Sequence, residues 1–302
     1  MTERSQERDA YVVMAGLSLI WGYNWVVIRV ATLDGSPLLV ATLRTAIGAA
    51  SLLAVIAIRR QLRPTPFVPT LVLGLLQTAA FTLFQTVAVS LGGAGKVAVL
   101  AYTMPFWATL FAWPFLHERI DGIRWCALAL AGVGLGFVAA PFNAGTAVGD
   151  VLAVLAGVAW GASVVWARRL QLRDRLELLP LTAWQTLWGF IPMFVLSFFF
   201  PEHVRWTGSF IGAIVYLGLA HGIAWTMWLY VIARLPAGVA GLASLATPVI
   251  GVGCAALQLH EIPNHAELVG MALIIGALAL NLVPAAAAAL RSRSPQSPAS
   301  LH

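Results

Sequence analysis

The chain has 302 residues, of which 60% are hydrophobic and 10% are charged, and its mean hydropathy is +0.86. A water-soluble fold of this composition would lack the polar side chains needed to cover its surface. The net charge of +6 does not indicate nucleic-acid binding, because most of the 18 Lys and Arg residues lie at the ends of predicted helices. Composition therefore excludes a soluble domain and a DNA-binding protein, and it predicts a membrane protein.

Apolar stretches long enough to cross a bilayer recur along the whole chain, since about 20 residues of helix span the hydrocarbon core. Short loops with charges, Gly or Pro separate these stretches. The sequence thus predicts an all-α polytopic membrane protein with ten transmembrane helices. The predicted spans are 10–31, 37–58, 67–90, 94–116, 121–140, 148–169, 179–200, 208–233, 237–259 and 265–289.

The distribution of basic residues predicts the orientation. Cytoplasmic loops carry an excess of Arg and Lys. Of the 18 basic residues, 14 lie in the two tails and in the alternate loops on the same side, and the exceptions are Arg29, Arg44, Lys96 and Arg205. We therefore expect an N-in, C-in protein with cytoplasmic tails at 1–9 and 290–302.

Two sequence features occur twice at similar spacing, which indicates an internal repeat. Trp21-Gly22 matches Trp160-Gly161, and the segment from Met104-Pro105 to His117-Glu118 matches the segment from Thr247-Pro248 to His260-Glu261. Each half holds five predicted helices, an odd number, so the second half must enter the membrane from the opposite side. We predict two inverted five-helix repeats at 10–140 and 148–289, joined by an outer linker at 141–147.

These residues carry a family resemblance. WGYNWVVIRVA at 21–31 is followed by Pro37 and Arg44, then by LHERIDGIRWCALALAGVGLGFV at 116–138 and its echo LHEIPNHAELVGMALIIGALAL at 259–280. In this order the chain resembles the duplicated EamA-type module of the drug/metabolite transporter superfamily. The resemblance implies a carrier in a bacterial inner membrane, in a family whose members export amino acids, nucleosides or toxic metabolites.

Helix 1 departs from the wider superfamily, because the small four-helix multidrug members carry a Glu there for proton exchange, whereas this helix has no acidic residue after Asp9. All twelve acidic residues map to tails, loops or helix ends. A proton relay would therefore have to use His221 in helix 8, or transport follows the substrate gradient. His221 is either a cavity residue, as Trp225 one turn further suggests, or a neutral histidine bonded to a neighbouring helix.

Helix 3 contains a polar stripe, in which Gln77, Phe81 and Gln85 recur at four-residue spacing beside Thr78 and Thr82. Amides and an aromatic ring on one face suit a small zwitterion with a variable side chain. Hydrogen bonding between helices is the alternative.

A set of aromatic residues falls in mid-helix instead of at the membrane interface, where Trp and Tyr usually anchor. This placement predicts a cavity wall, with helix packing as the alternative, and we expect Trp21 and Trp160 to lie near each other across the pathway. The predicted substrate-binding set also includes two polar residues. Its members beyond helix 3 and His221 are Trp21, Asn24, Tyr102, Trp160, Trp184, Trp225 and Ser244.

The equivalent prolines Pro105 and Pro248 are predicted to lie inside helices 4 and 9, where each would remove a backbone hydrogen bond and favour a kink. The kinks are either gating hinges or structural. In helix 5, Gly132 and Gly136 form a close-packing motif that we interpret as ordinary helix association.

Two basic residues within predicted spans, Arg44 and Lys96, are given specific roles. Arg44 lies roughly 10 Å into helix 2 at about 1.5 Å per residue, where we favour a structural role, capping carbonyls or reaching outward, over contact with a substrate carboxylate. Lys96 begins helix 4 and is interpreted as an interfacial lysine or a group that draws anions to the outer vestibule.

An enzyme would need a catalytic cluster, and the sequence has no HExxH, no paired intramembrane carboxylates and no nucleophile motif; a channel would need a filter or charged ring. We predict no enzyme, cofactor or metal. The prediction is an exporter of small organic metabolites, foremost amino acids including aromatic or apolar ones, working by alternating access through a cavity formed by helices 1, 3, 4, 6, 8 and 9. The alternative is a proton-coupled efflux pump for drugs or nucleoside-type metabolites. We expect a monomer in contact with its small-molecule substrate and lipid, without nucleic acid.

Overall fold

The structure is a computed structural model, and it describes residues 3–139, 144–174, 176–201, 203–235 and 244–291. Within these ranges the chain forms helices and no strand beyond an isolated bridge between Gly35 and Val204. The helices are α1 (Glu3–Asp34), α2 (Pro37–Ile58), α3 (Phe67–Gly92), α4 (Ala94–Leu116), α5 (Gly122–Ala139), α6 (Ala144–Asp174), α7 (Leu178–Ser197), α8 (Gly208–Ile232), α9 (Ala246–Leu259) and α10 (His265–Arg291).

Eight of these helices are long and apolar enough to cross a membrane, and the shorter apolar stretches are Gly122–Val138 and Ala246–Leu259. The first part of the ninth predicted span, 237–243, lies outside the described residues. Helices α1 and α6 run past their predicted bounds into charged sequence, because Glu, Arg and Gln favour helix as well as apolar residues do.

Two helices are irregular near their middle. Helix α3 contains a π-helical stretch at Gly74–Ala80, and α4 is interrupted at Tyr102–Thr103, between Ala94–Ala101 and Met104–Leu116. The prediction that Pro105 lies in a helix interior is wrong. Pro105 stands in the first turn of the second segment, where its missing N–H is no loss. Pro248 likewise lies in the first turn of α9 as described.

Helix packing follows the duplication. Helix α1 packs on α8 and α9, and α6 packs on α3 and α4; α2 packs on α7 and α8, and α7 packs on α2 and α3. Helices α5 and α10 pack on each other. The pattern of neighbours stays the same when α1–α5 are exchanged with α6–α10. Most of these contacts join a helix of one half to a helix of the other.

The repeated Trp-Gly pairs mark the crossings between the halves. A Cβ atom on Gly22 would lie 3.1 Å from the carbonyl oxygen of Thr247, and one on Gly161 would lie 2.9 Å from that of Met104. Both carbonyls directly precede a proline of the other half. The glycines therefore let α1 and α6 approach the backbone of α9 and α4 closely.

The interpretation of the glycines in α5 needs correction. A Cβ on Gly132 or Gly136 would meet nothing within 4 Å, whereas one on Gly134 would lie 2.9 Å from the carbonyl oxygen of Gly270 in α10. The close approach of α5 and α10 is thus made by Gly134 and Gly270, because these two face the partner helix.

Charged residues join the halves at both ends of the bundle. We define the Lys96 end by Arg29, Lys96, Asp150, Glu261 and Glu267, and the Glu118 end by Glu118 and Arg168. Arg29 lies 3.8 Å from Glu261, and Arg168 lies 3.1 Å from Glu118. The two pairs are equivalent in the repeat, since each Arg stands eight residues after the Trp of its Trp-Gly pair and each Glu follows the His of Leu-His-Glu.

Candidate substrate cavity

A cavity lies where the two halves meet, with about 810 Å³ of space including its open mouth. The cavity wall draws residues from the six helices predicted, α1, α3, α4, α6, α8 and α9, and also from α2. The predicted residues that line it are Trp21, Asn24, Arg44, Gln77, Phe81, Gln85, Tyr102, Trp160, His221 and Trp225.

The polar stripe of α3 faces the cavity as one surface. Gln77, Phe81 and Gln85 all line it, together with Thr78 and Thr82. Gln85 is 3% exposed, and its Oε1 atom has no hydrogen-bond partner among the described residues. Thr78 instead donates a hydrogen bond of 3.2 Å to Gln185 Oε1 on α7. The stripe therefore supplies both a helix-packing contact and an unused polar group.

An aromatic wall crosses the cavity from α3 to α8. The ring of Phe81 lies 4.6 Å from that of Trp160, and Trp160 stacks on Trp225 at 5.6 Å with an interplanar angle of 15°. The His221 ring follows at 6.5 Å from Trp225. This wall offers broad ring faces to an apolar or aromatic solute.

Trp21 and Trp160 both line the cavity, as their equivalence suggested, but their ring partners differ. Trp21 packs on Trp228 at 5.7 Å, whereas Trp160 belongs to the aromatic wall.

Two residues of the predicted set lie outside the lining. Trp184, in the second turn of α7, stacks on Trp188 and donates its indole N–H to the Arg63 carbonyl at 2.9 Å. Ser244 precedes α9 outside the cavity wall.

The placement of Trp184 has a simple cause. An indole near a helix end reaches a polar partner with its N–H while its rings stay among apolar groups. The same end holds the ion pair between Arg63 and Glu177. Trp184 is thus an anchor at the Glu118 end, and its predicted position in the cavity wall is wrong.

Arg44 lies in the wall of the cavity, and the structure does not support the predicted structural role. The residue is 6% exposed, and its Nε and Nη1 atoms are buried without a hydrogen-bond partner among the described residues. These two nitrogens therefore neither cap a helix end nor reach an aqueous surface. Gly48, one turn further along α2, packs on the His221 ring, so Arg44 and His221 are neighbours.

Lys96 is not open to anions from solution, contrary to the vestibule interpretation. Its ammonium lies 2.8 Å from Asp150 and 3.4 Å from Glu267, and its side chain is 12% exposed. The same end is closed by Glu261, whose Oε2 accepts hydrogen bonds from the backbone N–H groups of Ala94 (2.7 Å) and Gly95 (3.3 Å). Glu261 thus caps the start of α4 and neutralises part of its helix dipole.

Several lining residues were not predicted. Trp25 stands one turn after Trp21, and Thr247 precedes Pro248, so helical spacing and the repeat could have indicated both. Met104 precedes Pro105 and was open to the same inference from the repeat, whereas Ala220 carries no such signal because it is an ordinary apolar residue. Within the described ranges, no group of three or more His, Cys, Asp or Glu side chains could hold a metal ion. The arrangement can bind a small amphiphilic molecule.

Comparison with known proteins gives the family. Residues 9–140 and 147–283 each match the EamA-like transporter family. The chain is 28% identical over 262 residues to the uncharacterized transporter YoaV of Bacillus subtilis, covering 82% of this chain and 89% of that protein. It is 27% identical over 295 residues to a probable amino-acid metabolite efflux pump of Salmonella typhimurium, covering 91% and 95%.

A protein of Escherichia coli with the same name is 25% identical over 280 residues, covering 87% of this chain and 91% of that protein. A crystal structure of another protein superimposes with a TM-score of 0.66, covering 96% of this chain and 99% of that chain at 22% identity, which supports the fold alone. Because the family matches both halves, the chain belongs to the EamA-like transporter family of the drug/metabolite transporter superfamily and is a multi-pass membrane protein.

Proposed function

We propose that this protein exports small organic metabolites, foremost amino acids with apolar or aromatic side chains, across a bacterial inner membrane. The observation that carries the proposal is the cavity between the halves, which joins an aromatic wall to buried polar groups. An amphiphilic solute of amino-acid size needs both kinds of surface. The two enterobacterial relatives named probable amino-acid metabolite efflux pumps support this substrate class.

Transport would proceed by alternating access, in which the two halves rock about the cavity. The pairs Arg29–Glu261 and Arg168–Glu118 join the halves at opposite ends of the bundle. For the cavity to open toward one side, the pair at that end must separate while the other holds. The interruption of α4 at Tyr102–Thr103, before Pro105, gives the first half a pivot beside the cavity.

The proposed orientation follows the basic residues. The excess of Arg lies in both tails and in the loops around Arg59, Arg119 and Arg173, and this distribution supports a cytoplasmic position for the Glu118 end. The Lys96 end then faces outward. Export in this orientation begins with entry from the Glu118 end.

Proton-coupled efflux of drugs or nucleoside-type metabolites is the second candidate, and His221 is the observation that favours it. Its ring lines the cavity, and Nε2 is buried without a partner among the described residues. Histidine is the side chain that changes charge nearest to neutral pH. A substrate-linked change at this position would couple flux to a proton gradient.

Flux measurements in proteoliposomes test these proposals. Purified protein is given labelled tryptophan, leucine, uridine and a lipophilic cation, with and without an imposed pH gradient, beside empty liposomes. We expect amino-acid flux that ignores the pH gradient. Flux of uridine or the cation that follows the pH gradient and disappears in His221→Gln would replace the first proposal with the second. Absence of amino-acid flux above empty liposomes would contradict the first.

A further inference from the structure

Arg44 carries a buried charge without a counter-ion among the described residues. Its side chain is 6% exposed, and two of its three guanidinium nitrogens are buried with no hydrogen-bond partner. Burying a cation away from water and without an acceptor is unfavourable, so such residues within membrane spans usually serve a function. The position of Arg44 in the cavity wall places this charge where a solute would bind.

Two other basic residues within the helices, Arg29 and Lys96, have polar or acidic partners. Arg29 donates to the Ser90 carbonyl at 2.6 Å and faces Glu261. Lys96 is held between Asp150 and Glu267. Arg44 differs because none of the described residues that line the cavity carries a carboxylate. The missing counter-ion therefore has to come from the molecule that enters.

The surroundings of Arg44 indicate what else that molecule contains. His221 adjoins Arg44, and the rings of Trp225, Trp160 and Phe81 continue from it at successive centroid distances of 6.5, 5.6 and 4.6 Å. A molecule with its anionic group at Arg44 would lay its apolar part along this aromatic wall. A planar, bidentate carboxylate matches the guanidinium fork.

We propose that Arg44 binds the carboxylate of the transported solute, and that the cavity consequently selects aromatic and apolar carboxylates over amines. This inference rests on the proposed transport through the cavity, and it adds the group that decides the substrate class. The neutral groups Gln85 and Asn24 are the polar neighbours for an ammonium. Because they are uncharged, the ammonium contributes less to affinity than the carboxylate does.

Three related ligands separate these contributions on the unmodified protein. Tryptophan has both charged groups, indolepropionate lacks the ammonium, and tryptamine lacks the carboxylate. Isothermal titration calorimetry of the full chain in detergent measures each Kd. We expect tryptophan and indolepropionate to bind within about 10-fold of each other, and tryptamine to bind at least about 10-fold more weakly than either, as loss of a charge-assisted hydrogen bond requires.

Two variants locate the effect. Arg44→Gln should weaken tryptophan binding by about 10- to 100-fold and leave tryptamine binding unchanged, and Arg44→Lys should lie between wild type and Arg44→Gln because a lysine keeps the charge but loses the fork. Arg205→Gln is the matched control. It removes an exposed arginine that is paired with Asp34 at 2.7 Å, far from the cavity, and should bind tryptophan as wild type does.

The inference is overturned if tryptamine binds as tightly as tryptophan, if Arg44→Gln binds tryptophan like wild type, or if neither acid binds the wild-type protein. Failure of the proposed amino-acid function looks different. In that case indolepropionate binds and depends on Arg44, whereas labelled tryptophan shows no flux in proteoliposomes. The carboxylate site would then stand, with non-amino carboxylates as the substrates.

Discussion

Helix α2 packs on α8 as its repeat equivalent α7 packs on α3. The two contacts share glycines at equivalent positions, but their polar residues differ. The segment ATLRTAIG at 41–48 aligns with TAWQTLWG at 182–189, so Gln185 corresponds to Arg44 and Gly189 to Gly48. At the second contact, Thr78 donates a hydrogen bond to Gln185. At the first, His221 stands where Thr78 does, and Arg44 and His221 both have buried nitrogens without partners.

The difference separates structure from function within one molecule. Both contacts need a small residue at the glycine position, because the facing helix leaves no room for a Cβ. The contact between α7 and α3 holds a neutral, hydrogen-bonded pair, Thr78 and Gln185. The contact between α2 and α8 holds Arg44 and His221, whose buried nitrogens lack hydrogen-bond partners among the described residues. A fold requirement alone would be met by glutamine at both positions, and this contrast is the reason why we assign Arg44 to the proposed binding of a solute carboxylate.

The largest expected effect on stability comes from placing an arginine at position 185, in the contact between α7 and α3. Gln185→Arg should lower the free energy of unfolding by about 3 kcal/mol, since Gln185 is 1% exposed and a second buried arginine would have no acceptor there. Denaturant unfolding in detergent micelles measures it. Gln171→Arg, near the polar end of α6, is the control and should change the unfolding free energy by less than about 0.5 kcal/mol. Tolerance of Gln185→Arg would remove the contrast between the contacts.

The glycine positions should respond unequally. A Cβ on Gly189 would collide with the backbone carbonyl of Gly74 and with Thr78, which cannot both move, so Gly189→Ala should cost about 2 kcal/mol of unfolding free energy. The nearest atoms to a Cβ on Gly48 would all belong to the His221 side chain, from 2.7 Å for the ring to 3.1 Å for Cβ, and one side chain shifts more easily than backbone.

We therefore expect Gly48→Ala to lower the free energy of unfolding less than Gly189→Ala does. It should nevertheless weaken tryptophan binding, because it displaces His221, the neighbour of Arg44. Gly132→Ala, where a Cβ would meet nothing within 4 Å, is the matched control. Equal costs at positions 48 and 189 would mean that the two contacts are equally rigid.

Removing the charge of Arg44 from the contact between α2 and α8 should stabilise the protein. Arg44→Gln restores the residue type of Gln185 and should raise the free energy of unfolding of the ligand-free protein by about 1 kcal/mol, because it removes an uncompensated buried charge. Thermal unfolding without ligand tests this against wild type. A clear loss of stability would show that the guanidinium holds the fold together.

The smallest expected effect concerns the ion pairs at the two ends. Glu261 faces Arg29 and also caps α4, so Glu261→Gln should cost about 1 kcal/mol of unfolding free energy. Glu118 pairs with Arg168, whose side chain is 61% exposed, and Glu118→Gln should cost about 0.5 kcal/mol or less. A larger loss of unfolding free energy for Glu118→Gln than for Glu261→Gln would contradict this ranking of the two positions.

Much of the helical framework could be predicted from the sequence, because the length of an apolar stretch is set by the membrane. The predicted bounds 37–58 for α2 and 94–116 for α4 coincide with the structure. The interruption at Tyr102–Thr103 could not be located. Pro105 signals an irregularity nearby, but a proline is equally compatible with a kinked helix and with the start of a new one.

The lining of the cavity was predictable where spacing or the repeat gave a signal, as for Gln77, Phe81 and Gln85. Arg44 was assigned a structural role because depth within a span does not tell which way a long side chain turns. Its direction depends on the packing of α2 against α8. Likewise, the spacing of Gly132 and Gly136 does not reveal that Gly134 is the residue facing α10.

The most direct test of the account asks whether solute passes through this cavity. Ala220 lines it, so Ala220→Cys is made with Cys126→Ser and Cys254→Ser, and a water-soluble maleimide is applied in proteoliposomes. We expect modification to stop tryptophan counterflow and tryptophan to slow modification, whereas modifying the exposed Cys126 in a Cys254→Ser protein leaves counterflow intact. Unchanged counterflow through fully modified Ala220→Cys protein would contradict the central cavity as the transport route.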